Sequence, residues 1–414
     1  MSFDYQPQLD WIAQQSDAML QQTLRWSAIN SGSYHLDGLM KMADVLAEDF
    51  AVLGAEVERL QLEPMESVND RGEVITIPLG EALRFTKRPD APLRVLLTGH
   101  MDTVFPKDHA FQTCTQQDAN TWNGPGLADM KGGLCVALHA LQALEQSPWA
   151  DKIGWQIIIN PDEEIGSHGS APLLAAGAKA NHLGLTYEPS LPDGTLAGAR
   201  KGSGNFTAVV RGRSAHAGRE PEKGRNAIAA LAEYITAIFA LNGGMDGVTV
   251  NPGKLEGGGP VNVVPDLAIC RFNIRIGTPE EQAWVEQQLA EIQAHINAKD
   301  GFSLELHGGF TRPPKVLSPA NEHLFDLLKT CGQHLGVEIK SKATGGCCDG
   351  NNLAAHGLPN VDTLGVRGGQ IHSAEEYMLA DSLPERAQLS ALLLMKLASG
   401  EAHWPHVKQE ATVC

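Results

Sequence analysis

The stretch Ile157–Gly169 reads IIINPDEEIGSHG, and it decides the fold class. An apolar run from Trp155 to Asn160 is short enough to be a strand buried on both faces, and the adjacent acids Glu163 and Glu164 follow directly on its end. Two neighbouring runs have the same character: Val95–Thr98 and Leu183–Tyr187, with the helix-like stretch Leu134–Leu144 between them. Alternation of buried strands with helices predicts an α/β sheet carrying helices on both faces. In such sheets ligands bind beyond the carboxyl ends of the strands, which is where the acids and histidines of this chain fall.

Each strand end has its own chemistry. In LLTGHMDTV (96–104), His100 and Asp102 stand at i and i+2, so both side chains leave on one face, as a metal-ligating imidazole and a carboxylate partner would. In NGPGLADMKGG (123–133), Asp129 lies among Gly124, Gly126, Gly132 and Gly133, which permit sharp turns and close backbone approach. Glu163 and Glu164 would repel each other near a core unless a cation held them; one could bind metal while the other shuttles a proton. Glu188 in LGLTYEPS (183–190) again ends an apolar strand, and His372 lies in the glycine-rich GGQIHSAEEY (368–377). Imidazole and carboxylate donors without thiolate suit catalytic zinc, with cobalt or manganese as alternatives.

At 414 residues the chain exceeds the roughly 250–300 at which single cores stop growing, so two domains are expected. Residues 8–28 and 36–53 carry helical apolar spacing, with Leu39, Met42, Leu46, Phe50 and Leu53 on one stripe and Gly54 placed to end the second helix. From about residue 202 the order becomes strand (206–210), helix (226–241), strand (247–251), strand (268–276), helix (280–298), strand (302–306). That βαββαβ order predicts an inserted split-βαβ domain over 202–312. The first domain then resumes with a helix at 322–335, a strand at 337–342 and a helix at 382–397, making it discontinuous over 1–201 and 313–414. Residues 400–414 have no periodic pattern and read as a loosely held tail.

Composition excludes several classes. With 32 Lys and Arg against 49 Asp and Glu the net charge is -17, so a nucleic acid would be repelled, and a substrate carboxylate must be met by a few local arginines. No stretch reaches the roughly 18 apolar residues of a membrane span, and the N-terminus has neither a basic nor an apolar signal region, so a cytoplasmic protein is expected. The seven cysteines, Cys114, Cys135, Cys270, Cys331, Cys347, Cys348 and Cys414, lack zinc-finger spacing and read as reduced thiols.

Taken together, HMDTV, GPGLADMKGG, the strand-ending PDEE, YEPS, SAHAG, VNVVPD and the C-terminal GGQIH resemble the M20 metallopeptidase family almost end to end. GNNLAAHGLP and LGVRGGQIHSAEEY are similar to its glutamate carboxypeptidase (carboxypeptidase G2-like) branch. The resemblance implies a zinc-exopeptidase domain with a mixed sheet flanked by helices, and a ferredoxin-like lid and dimerisation domain. It implies that His100 and Glu188 hold one zinc, Glu164 and His372 a second, and that Asp129 bridges them. Glu163 would be the general base, Asp102 the orienting partner of His100, and the peptide bond after Asp129 cis. It further implies that the base deprotonates a bridging water, which attacks an amide carbonyl, and then protonates the leaving nitrogen.

In ICRFNIRI (269–276), Cys270, Phe272, Ile274 and Ile276 face the helices while Arg271, Asn273 and Arg275 face away. The resemblance makes Arg275 the ligand of the substrate carboxylate, with Arg312 in FTRPP (310–314) a weaker specificity candidate beside a hinge role. It also implies that His216 and Asn262 stabilise the oxyanion, reaching the partner's site in a homodimer. Cys347 and Cys348 stand where the family has small residues, and read as small buried thiols. The expected substrate is a small acyl amino acid or short peptide with a free carboxylate. An acetylornithine or succinyl-diaminopimelate type deacylase, or a dipeptidase, would share every metal residue. A non-catalytic amino-acid-binding relative should have lost ligands or the base, and none is missing.

Overall fold

The computed structural model describes residues 3–405. The loosely held tail expected over 400–414 is corrected for residues 400–405, where Trp404 is 5% exposed and packs into the main core; residues 406–414, with Cys414, lie outside the described residues.

Six strands form the larger sheet, in the order Glu56–Gln61, Glu81–Lys87, Ile153–Asn160, Leu93–His100, Leu183–Thr186, Asn360–Asp362. The first two pairings are antiparallel and the remaining three parallel, so the sheet is mixed. On one face the helices Gly132–Glu145 and Ser382–Ser399 share the main core. On the other, Leu174, Ala178 and Leu353 from Ala171–Ala180 and Asp349–Ala355 pack on Leu96 and Ile158. Burial of both faces explains why the central strands read as unbroken apolar runs.

The helix Leu36–Phe50 is amphipathic as expected: Leu39, Met42, Leu46 and Phe50 are buried, each contributing roughly 1.5–3 kcal/mol. After a short 3₁₀ turn Gly54 takes φ +59°, the left-handed conformation that stops the chain. Two expectations are corrected here. The single helix over 8–28 is two, Gln6–Gln14 and Ser16–Ser27, broken at Gln15. The strand over 337–342 is instead Ser341–Thr344, and it pairs with Leu196–Arg200 in a separate two-stranded sheet. The antiparallel strands Glu56–Gln61 and Glu81–Lys87 were not expected.

The second core lies among residues 206–304. Its four-stranded sheet has the order Thr249–Gly257, Leu267–Ile276, Gly202–Arg211, Ser303–Arg312, with every neighbouring pair antiparallel. The helices Ala227–Phe239 and Pro279–Asn297 cover one face, against Cys270, Phe272, Ile274 and Ile276. Thr278 and Glu281 cap the second helix reciprocally. This unit is called the lid below. The chain enters and leaves it side by side, because Arg200 and Lys315 exchange backbone hydrogen bonds of 3.0 Å each way. The hairpin of Met65–Val68 and Val74–Ile77 reaches across to it: Val68 packs on Val209 and Ile269, and Arg271 donates to the Val68 carbonyl at 2.8 Å. Among the described residues no helix is long and apolar enough to cross a membrane.

Candidate metal centre and substrate cavity

Register brings the strand-ending residues to one edge of the sheet. His100 pairs with Asn160, three residues before Glu163, and Thr98 pairs with Thr186, two before Glu188. Asp129 arrives at the start of the helix Gly132–Glu145, and the bond between Asp129 and Met130 is cis. Gly133 permits the approach, since a Cβ there would lie 1.9 Å from the Tyr187 carbonyl oxygen.

Asp129 stands between two imidazoles. Its Oδ1 is 3.1 Å from His100 Nε2 and its Oδ2 is 3.3 Å from His372 Nε2. Glu188 Oε2 lies 3.8 Å from His100 Nε2, and Glu164 Oε2 lies 3.2 Å from His372 Nε2. His372 is presented by left-handed backbone at φ +64°, as is Gln370 at φ +54°, a conformation costing non-glycine residues roughly 1–2 kcal/mol each. Ligand atoms of His100, Asp129 and Glu164 lie within 4.8 Å of one another, as do those of His100, Glu163 and Glu188.

The charges fit a resident cation. Burial raises Glu163 and Glu188 above the usual carboxylate range and lifts Glu164 to about 7. Burial also opposes ionisation of Asp129, but the imidazoles of His100 and His372 outweigh it and hold Asp129 below its ordinary value. Asp129 and Glu164 in turn raise His372 to about 11, so the cluster draws protons into the space where a metal would neutralise it.

Asp102 does more than expected. His100 Nδ1 is 3.0 Å from its backbone oxygen and 3.3 Å from its carboxylate. That carboxylate also accepts the amides of Glu163 and Glu164 at 3.2 and 3.1 Å and the Ser33 hydroxyl at 2.7 Å. It therefore seats the Glu163–Glu164 turn as well as the imidazole.

Beside the acids lies a cavity of about 340 Å³, lined by all four carboxylates and His372 and also by Arg200, Arg275 and Lys342. Arg275 donates from Nε to Asn273 Oδ1 at 3.0 Å and from Nη1 to Cys347 Sγ at 3.1 Å. Cys347 is thus a half-buried thiol in the cavity wall rather than a buried one, while Cys348 is 3% exposed and accepts the Gly350 amide at 3.3 Å.

Arg312 is placed otherwise than expected, His216 and Asn262 lie away from this chain's own cavity, and one buried acid was missed. Arg312 does not line this cavity: 4% exposed, it donates to the Glu163 carboxylate at 2.7 Å, and to Asp349 and Asn352 at 2.8 Å each. A guanidinium with those acceptors has no face left for substrate. His216 and Asn262 lie on an exposed part of the lid, joined through the Ala217 amide and the Asn262 carbonyl at 3.0 Å, and do not line the cavity. Glu376 was missed. It is 1% exposed and accepts the amides of Gly126, Ala128 and Asp129 at 3.1, 2.9 and 3.1 Å, fixing the loop that presents Asp129. Its signal was present in HSAEEY, an acid four residues beyond a metal-ligand candidate.

The model of peptidase family M20/M25/M40 matches residues 96–396, a span holding every residue of this centre. The chain belongs to the M20 family. It is accordingly a metal-dependent hydrolase of peptide or amide bonds. Among its M20 relatives, carboxypeptidase G2 of Pseudomonas sp. (strain RS-16) is 29% identical over 315 residues, covering 74% of each chain. Succinyl-diaminopimelate desuccinylase of Maricaulis maris is 28% identical, covering 72% of this chain and 80% of the relative. The structure of an M20 metallo-carboxypeptidase from Sulfolobus solfataricus superposes with a TM-score of 0.70 at 17% identity, covering 91% and 98%.

Proposed function

We propose that this M20 chain is a two-zinc hydrolase that cuts an amide bond next to a free carboxylate, with residues 1–201 and 313–414 as catalytic domain and 202–312 as lid. The observation that carries this reading is the division of Asp129, one carboxylate oxygen towards His100 and the other towards His372. His100 with Glu188 and His372 with Glu164 then make two equivalent ligand pairs around a bridging acid. Nitrogen and oxygen donors without a thiolate favour zinc, and cobalt or manganese could substitute.

Bound metals would supply Lewis acidity towards the scissile carbonyl and the attacking water. The remaining roles belong to the chain. Glu163 lines the cavity while its carboxylate is engaged by Arg312, which suits a base that takes the water's proton and returns it to the leaving nitrogen. Arg275 offers the substrate carboxylate a planar fork, with Lys342 and the Asp362-paired Arg200 also in the lining, so cations stand beside the four acids of the cavity.

His216 and Asn262 would serve a second copy's site. Beside them Val261 is 102% and Val263 38% exposed, and on the same unit Phe239 and Leu255 are 58% and 63% exposed, apolar surface of the kind a partner subunit covers. We read the protein as a homodimer. Deacylation of an N-acyl amino acid uses the same machinery, and the identity to the desuccinylase keeps it beside carboxypeptidase action.

The test is a panel of N-acyl amino acids and short peptides, each as free acid and as carboxamide, assayed with zinc-loaded wild type and Glu163→Gln. Free acids alone should be cleaved, and only by wild type. Equal cleavage of carboxamides, full turnover by Glu163→Gln, or activity surviving chelation of all metal would overturn the reading.

A further inference from the structure

Arg312 is the last residue of the lid strand Ser303–Arg312, and Pro313 and Pro314 lead from it back to the catalytic domain. Its guanidinium crosses that junction. Nη2 donates to the Glu163 carboxylate at 2.7 Å, to the Glu163 backbone oxygen at 2.8 Å and to Ser167 Oγ at 3.0 Å. Nη1 donates to Asp349 Oδ1 and Asn352 Oδ1, both at 2.8 Å. The far side is itself fixed, since Asp349 accepts Ser167 Oγ at 2.5 Å and Asn160 Nδ2 at 2.9 Å, and Asn352 donates to the Thr311 carbonyl at 3.1 Å. A planar fork with acceptors on both nitrogens has a single orientation available to it.

Two more cations occupy the same crossing. Arg200, on the incoming chain, lies 2.9 Å from Asp362, and Lys315, on the outgoing chain, donates to Asp362 at 2.7 Å and Asn360 at 2.9 Å. Each ties lid-flanking backbone to the catalytic sheet, whose edge strand Asn360–Asp362 carries both acceptors. Arg312 alone among the three reaches the base. It does so from the lid's own strand, so any displacement of that strand moves the group that orients Glu163.

We propose that Arg312 is a positioning residue that holds the Glu163 carboxylate in its working orientation and transmits the lid's position to it. This rests on the reading of Glu163 as the base. Arg312 acts through Glu163 and touches neither substrate nor metal, so its loss slows turnover without weakening substrate binding. A Lys at 312 keeps the charge but can satisfy only one side of the fork, and retains part of what a neutral residue loses.

The experiment measures kcat, KM, zinc content and melting temperature of zinc-loaded wild type, Arg312→Lys, Arg312→Met and Asn352→Leu, on the N-acyl amino acid that wild type cleaves fastest. Asn352→Leu removes one neutral acceptor of Arg312, together with the Asn352 hydrogen bond to the Thr311 carbonyl, and leaves every charge paired, so it keeps the question answerable if the Arg312 variants do not fold. Expected are a fall in kcat of roughly 100-fold for Arg312→Lys, more for Arg312→Met and several-fold for Asn352→Leu, with KM within about threefold and two zinc ions retained. Unchanged kcat in folded variants, a rise in KM at constant kcat, or loss of activity only in proportion to lost zinc would each overturn the proposal. Glu163→Gln is measured alongside. Full turnover there would remove the base assignment itself, whereas its inactivity with an unaffected Arg312→Lys would remove only the positioning role.

Discussion

Glu376 Oε1 accepts the backbone amide of Asp129 at 3.1 Å, across 247 residues of sequence. Three amides converge on that one buried carboxylate, so the segment around His372 and the loop around Asp129 are locked to each other before any metal arrives. Glu376→Gln presents an N–H where an acceptor is needed. It should weaken zinc binding by roughly 10–100-fold, the range for groups that orient metal ligands, as measured by competition with a chromophoric chelator. Unaltered affinity in a folded variant would show that the Asp129 loop holds its shape unaided.

Arg275→Lys should raise KM for free-acid substrates by roughly 10–100-fold, because a charge-assisted fork is replaced by a point charge worth about 1.5–3 kcal/mol less when mispositioned. kcat should change far less. A kcat defect at constant KM would mean that Arg275 serves the reacting centre instead.

Mixing inactive His216→Ala with inactive Glu163→Gln chains should restore activity, up to about a quarter of the wild-type value if half the dimers are mixed and each holds one complete site. The readout is activity after native mass spectrometry has verified subunit exchange. No recovery would mean that each chain completes its own site.

His139 supplies a pH dependence remote from the metal centre. It is 6% exposed, its Nε2 lies 3.1 Å from Gln22 Oε1, and burial lowers it from 6.5 to about 4. The unfolded chain therefore takes up a proton near pH 6.5 that the fold refuses. Above that pH the residue is neutral in both states and contributes no pH dependence. Between pH 6.5 and 4 stability falls as pH falls, by about 3 kcal/mol at most once the acid side is reached. Subtracting the melting curve of His139→Gln from that of wild type should isolate this slope; parallel curves would refute it.

Three of the candidate site residues were legible because each is a polar residue placed where an apolar run stops, a local feature that one strand can display by itself, whereas Asp129 and His372 lie in glycine-rich segments. Glu163, Glu188 and His100 needed no knowledge of their neighbours. The role of Arg312 was not legible, since its meaning depends on Glu163 and Asp349, 149 and 37 residues away. Glu376 was hidden for the same reason. The strands Glu56–Gln61 and Glu81–Lys87 escaped for a different one: EVERLQ lies at the sheet's edge with no fully buried residue, and EALRFTK buries only three. Neither has the continuous apolar run that announces an interior strand.

The paired backbones at Arg200 and Lys315 bear on how such a chain assembles. Residues 201 and 314 are far apart in sequence yet enter and leave through one hydrogen-bonded gate. Once the lid has folded on its own local contacts, its ends are already adjacent, and the entropy of closing a loop of over a hundred residues has been met within it. To the catalytic sheet the whole insertion then behaves as a short turn, and an enzyme can exchange or enlarge such a part without reworking the core that holds the metals.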